Sequence, residues 1–341
     1  MHIIDERMEH LREKMRERQM DAYLVPTADF HESEYVGDHF TCRKFLTGFT
    51  GSAGTAVVTM DEACLWVDGR YFVQAAAQLK GTQVKMMKMG QEGVPSVSEY
   101  LETHVPRGGC LGFDGRVVNS LTGLGLEKSL KDKNARIACT EDLVGMIWED
   151  RPELSAEPAW VLEEKYAGKA AADKIAKLRK TMEKVHATVH VLTSLDDIAW
   201  LLNIRGNDIA YNPVVLSYVM VTMDEVRLFI NEKVLDGRIR EYLNGLGVKV
   251  LPYNDIYKEA GALQGEKVLF EKERGNYALY QAMAGKNEII DQRNPTSQAK
   301  AEKNPVEVEN EKKAHIKDGV AVTRFIYWLK HQIGKEPVSE I

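Results

Sequence analysis

Few residues in this chain have both the type and the setting to do chemistry. Arg70 is the first. It follows a short apolar run, 63–67, and the chain-breaking pair Asp68-Gly69, and it precedes Tyr71, Phe72, Ala75, Ala76 and Leu79 at helical spacing. A guanidinium where a strand stops and a helix begins can clamp a carboxylate or a peptide carbonyl with two parallel donors. Strand ends of α/β folds often carry function. The plainer reading is a structural arginine paired with Asp68. His31, Glu32, Glu34, Asp38 and His39 form the densest group of potential metal ligands. Ligands must converge on one point, and polar groups crowd a loop by chance often enough that no metal site is expected there. His315 and Asp318 lie one helical turn apart with no third ligand nearby. The run 51–55, GSAGT, lacks the lysine of a phosphate loop and the spacing of a dinucleotide fingerprint, so it reads as a tight turn. Arg205-Gly206-Asn207-Asp208 and Asn212-Pro213 read as turn chemistry or as a contact with another domain. No Ser/His/Asp or Cys/His nucleophile set is evident.

The elements that must position these residues follow from periodicity. The stretch 45–76 reads as strand, turn, strand, helix: 55–59 is β-branched and apolar, 63–67 is a second apolar run, and 71–80 is helical. Before it come a helix over 5–20, with Met8, Leu11, Met15 and the Arg12 stem facing inward, and a strand over 21–25 ended by Pro26. Residues 27–41 are polar and irregular. After it come a strand at 84–89, a capped helix at 96–104, a strand at 111–114, a helix at 120–130 and a strand at 135–139. The segment 149–160, with Pro152 and Pro158, is a linker, and a helix over 170–184 follows. Its basic residues, within the run 165–184, read as a solvated face.

The pattern then restarts. Leu178-Arg179-Lys180-Thr181-Met182 repeats Leu11-Arg12-Glu13-Lys14-Met15 after 167 residues, and Val221-Thr222-Met223-Asp224-Glu225 repeats Val58-Thr59-Met60-Asp61-Glu62 after 163. A repeated order of helix, strand, loop and strands means a duplicated domain. The second copy continues with strands at 216–222 and 226–230, a helix at 232–243, a strand at 248–252, a helix at 256–263, a strand at 267–271, a helix at 276–284 and an extended piece at 288–291. Residues 292–304 read as a polar loop. A long helix runs from Pro305 to about Ile333, with Ala314, Ile316, Val320, Ala321, Arg324, Phe325 and Trp328 on one stripe.

Composition bounds the function classes. A length of 341 residues calls for two or three domains. The net charge is −6 with no dense basic cluster, which argues against a nucleic-acid partner. No apolar stretch reaches the ~20 residues of a membrane helix, and the charged N-terminus lacks a signal-peptide core. The four cysteines form no CxxC pair and no zinc spacing. The expected location is cytoplasmic, with reduced thiols.

The runs FLTGFTGSAGTAVVT and LWVDGRYFVQAA resemble the first domain of the long, three-domain form of Xaa-Pro aminopeptidase, a metallopeptidase family with creatinase-type N-terminal domains. Four further runs match in order: YLVPTADFHESEY, DLVGMIWEDRP, LDDIAWLLNIRGNDIAYNP and KKAHIKDGVAVTRFIYW. The implied fold is α/β: two tandem creatinase-type domains, each a mixed sheet flanked by helices, over 1–151 and 159–296. The first helix of a truncated pita-bread catalytic domain would follow over 305–341. The implied activity of the parent is removal of the N-terminal residue from peptides with proline second, using two Mn²⁺ ions. The Asp, Asp, His, Glu and Glu ligands of that site would lie beyond Ile341, so no catalytic and no metal-binding residue is expected in this chain, and the fragment alone is expected to be inactive. By the same resemblance Arg70 reaches toward the peptide cleft and His31 lies on the substrate side. The expected partners are proline-containing peptides, the chain's own catalytic domain and a second subunit in a homodimer. Two alternatives are a non-catalytic peptide- or protein-binding module and a creatinase- or prolidase-type hydrolase, the latter usually with one N-terminal domain.

Overall fold

The structure is a computed structural model that describes residues 2–339. Its fourteen strands are β1 (Ala22–Pro26), β2 (Thr55–Thr59), β3 (Ala63–Val67), β4 (Val84–Lys88), β5 (Cys110–Phe113), β6 (Arg136–Ala138), β7 (Trp160–Val161), β8 (Val189–Leu192), β9 (Ile204–Arg205), β10 (Ser217–Thr222), β11 (Val226–Ile230), β12 (Val248–Pro252), β13 (Lys267–Leu269) and β14 (Glu288–Ile290). Two six-stranded sheets have the orders β4-β3-β2-β1-β5-β6 and β12-β11-β10-β8-β13-β14. Only β2 and β10 run antiparallel to the rest of their sheets. The two orders and directions are the same, as a duplication requires. Each sheet has an apolar core on both faces, which is why every residue of β3 and of β8 is buried and neither strand alternates.

The repeated motifs mark one physical unit. The Thr59 hydroxyl accepts from the Glu62 amide at 3.0 Å, and the Thr222 hydroxyl accepts from the Glu225 amide at 2.9 Å, closing the same tight turn twice. Glu62 then pairs with Lys85 and Glu225 with Lys249 on the neighbouring strand. From the preceding helix, Arg12 Nε donates to the Thr59 carbonyl at 3.0 Å and Arg179 Nε to that of Thr222 at 2.9 Å.

Several expected elements take another form. The first helix is Ile3–Glu17, because Gln19 turns to a left-handed backbone, φ 53°. Cys42–Thr47 is a helix that follows the irregular stretch 27–41 and runs into the stretch 45–76 read as strand, turn, strand, helix, and the helix after Arg70 is Phe72–Gln78. The helix expected over 232–243 is broken: Asp236 caps a new one at Gly237–Gly245 by accepting from the Ile239 amide at 2.9 Å. The expected loop 292–304 holds a helix, Pro295–Ala301. Asp197 secures that helix by accepting from Ser297 Oγ at 3.0 Å and pairing with Lys300 at 3.0 Å. The basic run 165–184 is not solvated throughout. Lys174 is buried, donating to Asn203 Oδ1 at 2.7 Å over the Trp200 ring, and burial pulls its pKa down to about 8.

The two copies interlock about a local twofold. Asn119 and Asn276, each the cap of the helix after the fifth strand of its sheet, form an antiparallel bridge with one another. Ser120 Oγ donates to the Gly275 carbonyl at 2.7 Å, and the Tyr277 amide donates to that of Val118 at 2.8 Å. Gly123 is required here: a Cβ would lie 2.2 Å from the Tyr277 ring.

Candidate functional site

Five strands of the first sheet, all but β2, point their carboxyl ends at one edge, and the expected site residues gather along it. Asp68 ends β3 and caps the single turn Gly69–Tyr71 by accepting from the Arg70 amide at 3.0 Å. The Arg70 side chain folds back on the same carboxylate, Nε to Oδ1 at 2.9 Å and Nη2 to Oδ2 at 2.8 Å. These bonds hold the Asp68 carboxyl below its ordinary pKa and raise that of Arg70. The guanidinium also lies over the Tyr71 ring at 5.0 Å. Tyr71 shares a 2.6 Å hydrogen bond with Ser52 of the GSAGT turn. Arg70 is thus oriented, yet its side chain is 68% exposed.

The same tripeptide recurs unremarked at the end of β5. Asp114-Gly115-Arg116 has the same two-residue pairing, Nε to Oδ1 at 3.0 Å and Nη2 to Oδ2 at 2.9 Å. Arg116 is half-buried, its side chain 36% exposed and lying 4.6 Å over the Phe30 ring. The repeated Asp-Gly-Arg was the sequence signal for it. The comparison isolates what is particular to Arg70: the same internal pair, open to solvent.

His31 is buried between the copies and not displayed on a loop. Its Nδ1 lies 2.9 Å from the Thr193 carbonyl and its Nε2 2.6 Å from Tyr253 Oη, both in the second copy, and its ring lies 4.4 Å from that of Tyr218. A carbonyl can only accept, so Nδ1 carries the proton and Nε2 accepts from the tyrosine. His39 Nδ1 donates to the Pro152 carbonyl at 2.7 Å. Glu32 stays at the edge of a crevice. Burial pushes its carboxyl up to about 7, against the pull of the facing Asn119 side chain and of Arg274. Among the described residues no three His, Cys, Asp or Glu side chains converge on a point that could hold a metal ion. The described residues therefore do not fit a metal centre. Asp208 spends its carboxylate on the Glu157 and Leu216 amides, at 3.1 and 2.8 Å. His315 donates to the Glu311 carbonyl one turn back.

Arg43 was missed by sequence reasoning. Its side chain is buried, with Nε donating to Thr27 Oγ1 at 2.9 Å and its two terminal nitrogens to the carbonyls of Phe49 and Gly51. It thereby holds the turn that supports Tyr71 and Arg70. The four cysteines are free thiols, and no helix of the described residues is long and apolar enough to cross a membrane.

This architecture defines a class. The creatinase/prolidase N-terminal domain family matches the chain twice, over residues 7–146 and, by a second profile of the same description, over 150–307; the chain belongs to that family. Its sequence groups it with the Xaa-Pro aminopeptidase P proteins. It is 40% identical to a probable Xaa-Pro aminopeptidase P of Sordaria macrospora over 96% of this chain and 55% of that protein. It is 39% identical to one of Neurospora crassa, over 96% and 50%. The solved X-prolyl aminopeptidase of Caenorhabditis elegans, described as a cytosolic enzyme with a di-nuclear active site, superposes with a TM-score of 0.90. That match has 34% identity and covers 97% of this chain and 57% of that one. The chain spans about half the length of the curated relatives it matches.

Proposed function

We propose that the whole protein is a metal-dependent Xaa-Pro aminopeptidase and that the residues described here are its substrate-gating and assembly domains. One observation carries the reading: a likeness to an X-prolyl aminopeptidase that runs through 97% of this chain at 34% identity. The first unit is taken as 1–151, the second as 159–296, and 305–341 as the start of the catalytic unit. The two metal ions, manganese by the resemblance, are held by the part of the relatives that this chain does not span. The long helix Pro305–Gln332 supports this division. Its first turn is anchored, with Trp200 Nε1 donating to Glu307 at 3.2 Å, while Ile316, Val320, Phe325 and Trp328 stand exposed further along. Such an apolar face is suited to packing against a catalytic domain or a second subunit. The enzyme is placed in the cytoplasm, as the nematode protein is described.

Residues 1–341 alone are expected to fold and to leave an Xaa-Pro peptide uncleaved with added Mn²⁺, while the full-length protein cleaves it. Metal-dependent cleavage by the purified chain would place the active site inside it and overturn the proposal. No cleavage by the full-length protein would favour a binding module.

Arg70 is assigned to the peptide. In the full-length protein, Arg70→Ala is expected to lower kcat/KM for Xaa-Pro peptides about 10- to 100-fold, the loss of one charge-assisted contact. An exposed side chain paired only with its own neighbour contributes little to folding, so the thermal midpoint should not move. Unchanged kcat/KM would leave Arg70 as the orienter of its own turn.

A further inference from the structure

The two sheets are copies, yet their equivalent crevices differ. In open α/β sheets, ligands bind beyond the carboxyl ends of the strands, where the strand order reverses. That point lies between β1 and β5 in the first sheet and between β8 and β13 in the second. The second crevice is filled by the chain itself. The Phe30 carbonyl accepts from Asn276 Nδ2 at 3.0 Å and from Tyr218 Oη at 3.4 Å. His31 reaches Tyr253, and the Phe30 ring joins the apolar core of the second copy. What sits there is a short stretch of peptide led by an aromatic side chain.

Strand register identifies the counterparts in the first crevice. Thr59 pairs with Ala22 as Thr222 pairs with Val189, which places Thr55 where Tyr218 stands. Ala63 pairs with Val84 as Val226 pairs with Val248, which places Met89 where Tyr253 stands. Asn119 caps its helix as Asn276 does. Thr55, Met89 and Asn119 all line an open cavity of about 550 Å³, walled otherwise by groups such as Pro26, Val118 and Leu126. That volume falls in the range of ligand sites, roughly 300–1,000 Å³. Two tyrosines of the filled copy are a threonine and a methionine here, which leaves the space. The segment that would fill it by symmetry does not reach it: after β8 the chain forms the helix Leu195–Leu202, packed on its own domain. Asn119 Oδ1 accepts from the Thr122 amide at 2.8 Å, so it is the Nδ2 donor that faces the crevice, with the Glu32 carboxyl as its neighbour there.

We propose that the first-domain crevice binds an extended peptide segment, one apolar or aromatic side chain seating against Met89 and Leu126 and one backbone carbonyl accepting from Asn119 Nδ2. Glu32, at the rim, offers its carboxyl to the next peptide group. The inference goes beyond the aminopeptidase reading and needs no catalysis.

The test uses the full 341-residue chain and a capped peptide copying residues 28–33, which contains the Phe30 and His31 seated in the second copy, followed by calorimetry. Saturable binding below about 1 mM is expected. A peptide with glycine in place of the phenylalanine should bind at least about tenfold more weakly. Two variants keep the fold. Gly125 lies in the cavity wall and a Cβ there meets no atom within 4 Å, so Gly125→Leu fills the space without a backbone clash. Asn119→Ser keeps a helix cap and removes the amide donor. Each should weaken binding at least about tenfold. Absence of saturation up to about 1 mM, or wild-type affinity in Gly125→Leu, would overturn the proposal. The readout is binding alone, so a failure of the aminopeptidase assay would not affect it.

Discussion

Replacing Arg43 by alanine is expected to destabilise the protein by about 3–5 kcal/mol, the larger end of what a single substitution does. The guanidinium has no carboxylate partner among the described residues. It is bonded to the carbonyls of Phe49 and Gly51 and to the Thr27 hydroxyl, and it stacks 4.8 Å over the Phe49 ring. Burial draws its pKa down to about 10, which leaves it charged at neutral pH. Truncation strands buried acceptors, each costing about 1–3 kcal/mol, and leaves a void where the stem was packed. Arg43→Lys should recover less than half of the loss, because one ammonium cannot serve three divergent acceptors as a planar fork does. A urea midpoint for Arg43→Ala equal to that of the wild type would show that the turn holds without it. Because this turn supports Tyr71, the alanine variant should also mobilise Arg70.

His31→Ala is expected to cost about 2–4 kcal/mol and to change how stability depends on pH. The substitution removes two hydrogen bonds and a ring from a buried seam, leaving the Thr193 carbonyl and the Tyr253 hydroxyl without this partner. Burial lowers the His31 pKa, with the nearby Asp29, the Thr193 carbonyl and Asp208 opposing. The unfolded imidazole, near 6.5, therefore takes up its proton at a higher pH than the folded one. The stability from His31 is complete above that value and is lost as pH falls below it. His190, fully buried with Nδ1 on the Leu269 carbonyl, has the same sign. Glu32 has the opposite sign. Its raised carboxyl contributes fully below the unfolded value near 4.5, and the contribution is lost as pH rises through about 7. Denaturant midpoints between pH 7 and 5 should thus fall less steeply in His31→Ala than in the wild type, by about 1.4 kcal/mol per unit of lost pKa shift. Parallel profiles would mean that His31 titrates alike in both states.

The sequence by itself determined what is local. The duplication was legible because Thr59 with Glu62, and Thr222 with Glu225, close the same turn within three residues, so the motif reads alike in both copies. The helix Ser120–Leu130 was legible because its cap, Asn119, is adjacent in the chain. The family resemblance and the α/β class rest on the same short-range patterns, and Arg70 was found because Asp68-Gly69 stops a strand beside it.

The tertiary structure decided what depends on distant partners. Pro295–Ala301 is a helix because Asp197, a hundred residues earlier, receives Ser297 and Lys300. Lys174 is buried because Trp200 and Asn203 come to lie against it. His31, read as a loop histidine, is a seam residue because Thr193 and Tyr253 arrive from the other copy. The two Asp-Gly-Arg turns have the same local chemistry. The docking of Phe30 half-buries Arg116, and nothing in the described residues docks over Arg70. Hydrogen-bond partners within four residues are written in the sequence that carries them. Burial is set by which surfaces meet, and two copies of one pattern can meet unequally, one crevice filled and the other left open.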